Sequence, residues 1–576
     1  MTKKLFGISW PTREELRTLE NSIKGKDFIV YLVLGSLLIF SSLALVSKLN
    51  RTFLVTVPLY GGSFEEGVVG TPRFINPVLA ISEPDKDLTN LVFSGLTRLD
   101  ENSNPSLDLA ESYSISENGL EYTFVLKPDA KFHDGEAITA DDVVFTIEKI
   151  SNPFIKSPKR ASWEGVLVEK IDERTVKFTL KKAYAQFLDS TTIGIIPKHL
   201  WEDVSDQEFA LSDMNEKAVG SGPYKISNIK EDDSGIPKTI ELKSFNDYVN
   251  GKPFINKIGF TFYANENTLV RALKNGSVDN INSVSPENAY SLSEEGYNVE
   301  SISIPRVFGL FFNQNKNPLL SNKTITQAMD LAIDKQSIVD KILFGYGTPL
   351  MGPRPIDIEN MQSRDESMEQ AIKLLEKAGY TLGEDGTRVK TTTSGKATKT
   401  ERLSFSITTA DLPELKDAAY EIRNDLSNIG ISVDVRVYDV GTLNQDIIKE
   451  RDYEILLFGE LITSDADLFA FWHSSQRLYP GLNVAMYTNT NADALLEDLQ
   501  TEDNEEKIKT LSDKISSTIK SDGAAIFLYS PSFIYIREDG VQEGKTKTIL
   551  RNSSNRFDLV TTWYKNKDLV WKIFTK

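Results

Sequence analysis

Alternating apolar and polar positions predict strands over much of the first half of the chain. In residues 121–131, Tyr122, Phe124 and Leu126 recur at every second position, a period that is typical of a half-buried strand. Residues 98–185 contain several segments of this kind and one helical segment. The pattern therefore predicts a strand-rich region interrupted by a single helix.

The stretch "KFHDGEAITADDVVFTIEKI" (131–150) gathers acidic residues and one histidine. Thr139 precedes apolar residues at helical spacing, so we expect it to cap a helix with Asp141 and Asp142 in the first turn. A metal or acid–base site would need partners for His133 at ligand spacing, and no second histidine or cysteine lies near it. The local pattern favours scaffold over a catalytic or metal site.

From residue 305 onward the pattern changes to alternating strands and helices. The segment "PRVFGLFFNQN" (305–315) has the apolar content of a buried strand, and residues 322–344 carry apolar positions at helical spacing. "DYEILLFG" (452–459) is an apolar run that is typical of a buried parallel strand. This order predicts a parallel sheet covered by helices. Residues 383–402 are polar, basic and rich in threonine, and we expect an exposed hairpin or loop there.

One uncharged run is long enough to cross a membrane. Residues 28–47 form twenty consecutive positions without a charge, preceded by Lys24 and Lys26. The first 26 residues carry six basic and three acidic groups, and the whole chain has a net charge of −18. The positive-inside rule predicts a cytoplasmic N-terminus and an extracytoplasmic main part. The alternative is a cleaved signal peptide, but the run is long for one and no A-x-A site follows, so an uncleaved anchor is favoured.

Composition and missing motifs restrict the function. The 576 residues require two or three domains, and the acidic balance argues against nucleic acid as a partner. The absence of cysteine excludes disulfides, thiolate metal sites and a lipid on an N-terminal cysteine. The sequence contains no phosphate-binding P-loop, no G-x-S-x-G and no H-E-x-x-H motif. The three histidines, His133, His199 and His473, are far apart in the sequence, so we expect neither an enzyme nor a cofactor.

Ten segments, in order, resemble the family 5 extracellular solute-binding proteins, the oligopeptide- and dipeptide-binding receptors of bacterial ABC importers. They cover nearly all of the chain beyond residue 52. The segments are "GGSFEEGVVGTPRFINPVLA" (61–80), "LVFSGLTRLD" (91–100), "LAESYSISENGLEYTFVLKPDAKFHDGEAITADDVVFTI" (109–147), "GSGPYKI" (220–226), "SFNDYVNGKPFINKI" (244–258), "ALKNGSVD" (272–279), "AMDLAIDKQSIVDKILFGYGTP" (328–349), "AIKLLEKAGY" (371–380), "LSNIGISVDV" (426–435) and "YEILLFGELITSDADLFAFWHSS" (453–475).

The resemblance implies an α/β, two-lobed, hinged fold of the periplasmic-binding-protein type, with an accessory domain and one preceding transmembrane helix. The stretch around His133 then belongs to the accessory domain as scaffold. The implied limits are a cytoplasmic segment (1–26), an anchor (27–48), lobe I in three parts (53–97, 172–304 and 528–576), the accessory domain (98–171) and lobe II (305–527).

The resemblance also implies a ligand cleft lined by the strand at 305–315 and by the loop after "YEILLFG". On the strand, Phe308, Gly309 and Asn313 are the candidate ligand contacts, and alternation requires about half of the strand's residues to be core instead. In the loop, Asp465 and then Glu460 are the candidates to hold the α-amino group of a peptide.

The loop departs from the family pattern. The position at which peptide-binding relatives carry an acidic residue falls on Ile462 or Thr463, which puts a ligand with a free α-amino group in doubt. Arg306 or Arg354 could hold a ligand carboxylate. Trp472 resembles an aromatic residue of the cleft, with packing between the lobes as its alternative role.

The function implied is a membrane-anchored receptor that captures peptides and delivers them to an ABC importer. Its expected partners are a peptide, permease subunits with a separate ATPase, and the membrane through residues 28–47, with no nucleic acid. The alternatives are an anchored sensor or scaffold on the same fold, or a receptor for a nickel complex, haem or an oligosaccharide.

Overall fold

The computed structural model describes residues 12–22, 25–182, 187–358, 363–394, 397–502, 504–545, 547 and 549–574. The helices of the described residues are α1 (Arg13–Ser22), α2 (Gly25–Phe53), α3 (Glu83–Val92), α4 (Ala140–Ser151), α5 (Phe187–Ser190), α6 (Lys198–Trp201), α7 (Glu266–Lys274), α8 (Pro286–Glu294), α9 (Lys323–Ala332), α10 (Lys335–Lys341), α11 (Arg364–Lys377), α12 (Pro413–Asn428), α13 (Val440–Thr442), α14 (Leu468–Trp472), α15 (Thr490–Thr501) and α16 (Glu505–Asp522).

The strands of the same residues are β1 (Leu54–Leu59), β2 (Ser63–Val69), β3 (Thr97–Leu99), β4 (Pro105–Leu107), β5 (Ala110–Ile115), β6 (Glu121–Leu126), β7 (Leu167–Lys170), β8 (Thr175–Thr179), β9 (Tyr224–Glu231), β10 (Pro237–Ser244), β11 (Lys257–Tyr263), β12 (Asn280–Ile281), β13 (Val299–Ser303), β14 (Arg306–Phe312), β15 (Gly347–Pro349), β16 (Thr381–Leu382), β17 (Arg388–Ser394), β18 (Ala397–Arg402), β19 (Ser404–Ala410), β20 (Ser432–Tyr438), β21 (Ile455–Leu461), β22 (Ala525–Ile536), β23 (Gln542–Glu543), β24 (Trp563–Tyr564) and β25 (Asn566–Trp571).

The chain divides into two compact units, and the smaller one combines its two ends. Met1–Leu59 and Asn566–Lys576 make up this smaller unit, and Tyr60–Lys565 make up the larger one. In the smaller unit α2 is long and apolar enough over Gly25–Lys48 to cross a membrane, and it includes the predicted span 28–47. At the end of α2 the chain enters β1, which pairs antiparallel with β25.

The larger unit is built on one mixed sheet of twelve strands. Ten of them follow the order β20-β19-β21-β14-β22-β12-β2-β11-β10-β9, and β13 and β15 pair with β22. The parallel sheet predicted beyond residue 305 is correct for β19, β20 and β21 but wrong for β14, which is antiparallel to both of its neighbours. The reason is the chain path, because β14 brings the chain into this half of the sheet and β22 takes it back.

Two large hydrophobic cores lie along this sheet. The first core is formed by buried side chains between Phe64 and Phe262, together with others between Phe533 and Trp563. The second core is formed by buried side chains between Val307 and Tyr529. Strand β22 supplies residues to both cores and so connects them covalently. The lobe limits predicted from the sequence stay predictions.

The strand-rich region between residues 98 and 185 contains a four-stranded antiparallel sheet in the order β5-β6-β8-β7. Helix α4 begins where the sequence predicts, after Thr139, and the Asp142 carboxylate accepts from the Thr139 backbone N–H at 2.8 Å. His133 binds the main chain, because its Nε2 lies 3.0 Å from the Gly222 carbonyl oxygen and its Nδ1 accepts from the Gly220 N–H. The scaffold interpretation of this stretch is confirmed.

The polar interruption at 383–402 is also as predicted. Strands β17 and β18 pair antiparallel as a hairpin, and β16 pairs with the other side of β17. Its tip, residues 395–396, lies outside the described residues.

Candidate ligand-binding cleft

Among the residues that the structure describes, strand β21 has no partner strand on one side near its C-terminal end. On one side it pairs with β14 over its whole length, but on the other side β19 pairs with it only at Ile455 and Leu456. The Leu457 carbonyl oxygen accepts from the Thr409 hydroxyl of β19 at 3.1 Å, so the backbone groups of Leu457 point to the β19 side. Residues two apart on a strand share this direction. The N–H and C=O groups of Gly459 and Leu461 therefore point away from β14, toward the unpaired side.

The loop after β21 is fixed by a capping box. The Asp467 carboxylate accepts from the backbone N–H groups of Thr463 and Ser464, at 2.8 and 3.0 Å, and from the Thr463 hydroxyl at 2.7 Å. The helical turn that leads into α14 begins directly after Ser464. These bonds hold the loop rigid at the carboxyl end of a sheet strand, the edge at which open α/β sheets place their ligands.

A cavity of about 470 Å³ opens beside this loop, a volume within the range of small-molecule sites. Thr463, Ser464 and Asp467 line it from the side of the second core, and the other lining residues belong to segments of the first core. The lining residues with charged or aromatic side chains are Lys86, Phe93, Arg98, Asp108, Lys159, Trp163, Asp189, Tyr248, Asp467, Arg551, Phe557 and Asp558.

The charged lining groups balance in number, but they are not all paired with one another. Arg551 is 2.8 Å from Asp189, and Asp558 is 2.6 Å from Lys547. Lys159 has no ion-pair partner among the described residues, and desolvation together with the nearby charge of Lys86 lowers its pKa. An anionic ligand group near Lys159 would stabilise its charged form, since the anion would offset both the desolvation and the repulsion from Lys86.

Asp108 is the most buried carboxyl group of the cavity. It accepts from the Tyr248 hydroxyl at 3.0 Å and from the Asn250 amide. Desolvation raises the pKa of Asp108, and the charge of Arg98 opposes this rise. The half-buried Arg98 guanidinium and this carboxyl group thus place both signs of charge at one wall of the cavity.

The predicted residues of β14 lie on a strand that is paired on both sides. Arg306 is exposed at its start, and the Phe308 ring stacks on Tyr529 with ring centroids 5.1 Å apart. Gly309 lies beneath the Ile526 carbonyl oxygen, which would be 2.9 Å from a Cβ at this position. Strand β21 pairs with all of β14, and β22 pairs with it from Phe308 to Phe311, so the backbone of these four residues has no free edge to offer a ligand.

Asn313 and Trp472 are buried in the second core. The Asn313 amide donates to the Arg451 carbonyl oxygen at 2.9 Å, beyond the opposite end of β14 from Arg306. Trp472 is 0% exposed and packs against Phe311 and Phe527. The Nε1 of Trp472 has no hydrogen-bond partner among the described residues.

Asp465 belongs to a polar cluster around Arg354. The Arg354 guanidinium lies 2.6 Å from Asp357 and 2.7 Å from Asp513. Desolvation raises the pKa of Asp465, and the Ser512 hydroxyl and the charge of Arg354 oppose this rise. The carboxyl group that was predicted to hold an amine thus already faces a cation of the protein.

Glu460 is the most unusual of the predicted residues. It is 2% exposed, and neither carboxyl oxygen has a hydrogen-bond partner among the described residues. Desolvation raises its pKa well above the usual value. The fold therefore places a desolvated carboxyl group with a raised pKa between Gly459 and Leu461, the two residues of β21 whose backbone groups point to its unpaired side.

Replacing Glu460 with Leu should raise the free energy of unfolding at pH 7.5 by about 1–3 kcal/mol, because an unsatisfied buried group disappears. The folded pKa is raised, so the contribution of Glu460 is most favourable below pH 4.5 and is lost as the pH rises toward the folded pKa. Denaturant unfolding of the full chain in detergent at pH 5 and pH 7.5 measures this difference.

Glu454, just before β21, provides the matched control. Its carboxylate accepts from the Ser406 N–H at 2.7 Å and from the Asn317 amide at 3.0 Å, so Glu454→Leu should destabilise the chain. A loss of stability in Glu460→Leu as large as that in Glu454→Leu would mean that Glu460 has a partner in the fold.

None of the seven predicted residues is among the described residues that line the cavity. Arg306, Phe308, Gly309 and Glu460 lie together where β14 and β21 pair, and Asn313, Asp465 and Trp472 lie apart from them. The sequence reasoning missed the wall on the side of the first core, whose residues carry no local motif. The S-x-x-D spacing of Ser464 and Asp467 after an apolar strand was a usable signal for the loop.

The histidine and acidic side chains were compared with the arrangement that a metal site requires. Within the described ranges no group of three or more His, Asp or Glu side chains is placed to hold a metal ion. His199 bonds to Asp134 at 2.8 Å, and His473 lies 3.5 Å from Glu497, both away from the cavity-lining residues. The geometry suits a ligand with backbone-like hydrogen-bonding groups and opposite charges.

Comparison with known proteins agrees with this description. Residues 104–477 match the model of the bacterial extracellular solute-binding proteins, family 5 (middle). The oligopeptide-binding protein AppA of Bacillus subtilis is 29% identical over 495 residues, 82% of this chain and 87% of that protein. Its structure in complex with a nonapeptide has a TM-score of 0.65 at 26% identity and covers 88% of this chain and 100% of the solved one.

Two further solved structures are similar over the same extent. The substrate-binding protein CtaP of Listeria monocytogenes has a TM-score of 0.71 at 26% identity, with 88% of this chain and 99% of that chain covered. NikZ of Campylobacter jejuni in complex with Ni(L-His) has a TM-score of 0.66 at 26% identity, with 87% and 99% covered.

These relatives have the two-lobed, mixed α/β binding-protein fold, so the predicted fold class is confirmed. Their family consists of receptors and not of enzymes. The apolar helix at Gly25–Lys48 fits the single preceding membrane helix of that prediction. The chain belongs to the bacterial extracellular solute-binding proteins of family 5.

Proposed function

We propose that this protein is a membrane-anchored extracytoplasmic receptor that captures peptides and delivers them to an ABC importer. The observation that carries the proposal is the unpaired side of β21 at Gly459 and Leu461, next to the capped loop that lines the cavity. The relatives named as peptide-binding proteins, one of them solved with a nonapeptide, support the same ligand class.

A peptide bound along this edge would use the groups that all peptides share. The N–H and C=O groups of Gly459 and Leu461 pair with the peptide backbone, which gives affinity without reading the sequence. Side chains of the peptide enter the cavity, where water adapts to each of them. Lys159 and Arg98 meet the anionic end of the peptide, since they are cationic groups of the cavity wall.

Two of the residues predicted from the sequence are ligand contacts in this proposal. Arg306 and Phe308 project from the same face as Leu461, at the end of the sheet where the edge is free, and we assign ligand contacts to them. The contacts of Gly309, Asn313, Glu460, Asp465 and Trp472 stay predictions.

The anchor is α2, whose apolar part Gly25–Lys48 spans the bilayer with residues 1–26 in the cytoplasm. A protein without cysteine cannot be lipidated at an N-terminal cysteine, so this helix retains the receptor at the cell surface. The permease subunits and their separate ATPase are the partners expected on the importer side.

Replacing Leu461 with Pro should weaken peptide binding about tenfold, because proline removes one backbone N–H, worth about 1.4 kcal/mol, from the free edge. That N–H does not bond to β14, so the sheet should remain intact. Leu461→Ala, which keeps the N–H, is the matched control and should bind like the parent.

The measurement is the thermal shift of the full chain in detergent with a mixture of short peptides. A hundredfold excess over Kd stabilises a protein by about 2.7 kcal/mol. Equal peptide affinities of Leu461→Pro and Leu461→Ala would show that the backbone of β21 does not bind the peptide. The lack of any thermal shift in the parent would exclude peptides as the ligand.

A further inference from the structure

The chain's two ends form a small ladder next to the end of α2. Strand β1 follows α2 without a loop, and β25 pairs with it from Leu54 opposite Trp571 to Leu59 opposite Asn566. We call β1 and β25 the terminal ladder. An isolated pair of strands is marginally stable in water, so a ladder of this kind needs a surface that covers it.

One face of the terminal ladder exposes large apolar side chains. Cross-strand partners share a face, so Trp571 with Leu54 and Leu569 with Thr56 lie on the same side. Leu569 is 58% exposed and Trp571 is 47% exposed. Phe53, the last residue of α2, stacks on the Trp571 ring with centroids 6.4 Å apart and extends this apolar face toward the helix.

The α2 end of this face lies close to the outer boundary of the lipid headgroups. From Lys48, where the apolar part of α2 ends, to Leu54 the chain rises about 9 Å at 1.5 Å per helical residue. The headgroup region on each side of the hydrocarbon is about 5–8 Å thick. Trp571 lies opposite Leu54, at the α2 end of β25, and Ile573, two residues later, is 76% exposed.

Side-chain chemistry distinguishes this layer from water and from hydrocarbon. Tryptophan is enriched at membrane–water interfaces, because its ring is apolar and its N–H is polar. Asp568, Lys567 and Asn566 are exposed on the part of β25 farthest from α2. The ladder thus has the apolar pair Leu54 and Trp571 at its α2 end, and the polar Asn566 and Lys567 lie at its far end, opposite Leu59 and Pro58.

We propose that the apolar face of the terminal ladder, with Phe53 and Ile573, inserts into the headgroup region of the outer leaflet. This rests on the proposed membrane anchor. Strand β25 then becomes a second membrane contact besides α2. This contact limits how far the outer end of α2 can tilt and how high it stands above the bilayer. The ligand of this surface is the phospholipid interface of the membrane that α2 crosses.

The cysteine-free chain allows a direct depth measurement in proteoliposomes of phosphatidylethanolamine and phosphatidylglycerol. A polarity-sensitive fluorophore is attached to Leu569→Cys, on the terminal ladder, and to Ile573→Cys, two residues beyond it. Leu38→Cys, in the middle of the span, tests the anchor, and Leu211→Cys, an exposed position of the larger unit, serves as the aqueous control. Nitroxides near the top or the end of the lipid acyl chain, and iodide in the water, are the quenchers.

The expected result is a blue shift and loss of emission at Leu569 and Ile573 with the shallow nitroxide, together with protection from iodide. Leu38 should respond to the deep nitroxide, and Leu211 only to iodide. A Leu38 label that no lipid nitroxide quenches would overturn the anchor, and the membrane contact of the ladder with it.

Two other results would overturn the ladder proposal and leave the anchor intact. With Leu38 in the bilayer, ladder labels that iodide quenches would place this face in water. Labels protected from iodide but not quenched by lipid would show that protein covers it, either a second copy or the larger unit. Oxidation of a Thr56→Cys, Leu569→Cys double variant should cross-link β1 to β25, and failure to cross-link would exclude the ladder itself.

Discussion

Replacing Arg556 with Met should lower the free energy of unfolding by about 3–5 kcal/mol at pH 7.5, because two buried carboxyl groups lose their cation. Arg556 is almost fully buried, and its guanidinium lies 2.9 Å from Glu66 and 2.6 Å from Asp87. Both carboxyl groups are 0% exposed. At this burial, bulk water is not in contact with either carboxyl group in the fold.

The network also explains how remote segments of the first core are joined. Glu66 lies in β2, Asp87 in α3, and Arg556 in the segment between β23 and β24. The Tyr535 hydroxyl of β22 donates to the second oxygen of Glu66 at 2.8 Å. Two parts of the chain, residues 66–87 and 535–556, are hundreds of residues apart in the sequence and meet at this network.

The loss in Arg556→Met should be smaller at low pH. Desolvation already raises the pKa of Glu66, and Arg556 opposes this rise. In the variant the folded-state pKa of Glu66 rises further, so its stability is retained while Glu66 is protonated and is lost as the pH increases. Denaturant unfolding of the full chain in detergent, followed by tryptophan fluorescence at pH 5 and pH 7.5, measures the change.

Arg436→Met is the matched control, since Arg436 pairs with Asp434 at 3.0 Å while both side chains are more than half exposed. An exposed pair contributes less than about 1 kcal/mol, so this variant should unfold like the parent. Equal effects of the two substitutions would show that the buried network does not hold the first core together.

Local elements were predictable from the sequence because their causes are local. Thr139, with Asp142 three residues later, determines where α4 begins, whatever the rest of the chain does. The uncharged run 28–47 marks the apolar helix, and the polar run 383–402 marks the hairpin of β17 and β18. In each case a pattern of fewer than about 25 residues is sufficient to predict the element.

The sheet direction and the cavity depend on chain path, which no local pattern records. Strand β14 is as apolar as a parallel strand would be, yet it pairs antiparallel on both sides because β22 returns beside it. Asp465 illustrates the same problem for the site. Its loop position was read correctly, but Arg354, more than a hundred residues earlier, determines which charge it faces.

Family resemblance supplied what periodicity could not. It indicated the fold and the binding role, both of which the comparisons show. It directed attention to the side chains of β14, and the proposed function adds the backbone groups of β21 that have no strand partner among the described residues. A backbone edge has no residue signature, so only the pairing of neighbouring strands reveals it.

Acidification should destabilise the chain through His133 in particular. Desolvation lowers the pKa of His133 to about 4, against an ordinary value of 6.5. In the fold its neutral ring uses both nitrogen atoms, accepting from the Gly220 N–H and bonding to the Gly222 carbonyl oxygen. A proton on Nδ1 would break the first bond and leave a charge in a buried place.

The free energy of unfolding should fall on acidification because the pKa of His133 is lower in the folded chain than in the unfolded chain. Above pH 6.5 the ring is neutral in both the folded and the unfolded chain, so the contribution of the neutral histidine is fully present. As the pH falls from 6.5 to about 4, only the unfolded chain takes up the proton, and stability declines. The full loss corresponds to about 3 kcal/mol at 1.36 kcal/mol per pKa unit.

His133→Gln tests this, because a glutamine amide can donate to Gly222 and accept from Gly220 but does not titrate. Between pH 7 and pH 4.5 the parent should lose about 2 kcal/mol more of its unfolding free energy than the variant. Carboxyl groups titrate in both proteins and cancel in the comparison. Parallel losses in the two proteins would show that His133 takes up its proton in the folded state as readily as in the unfolded one.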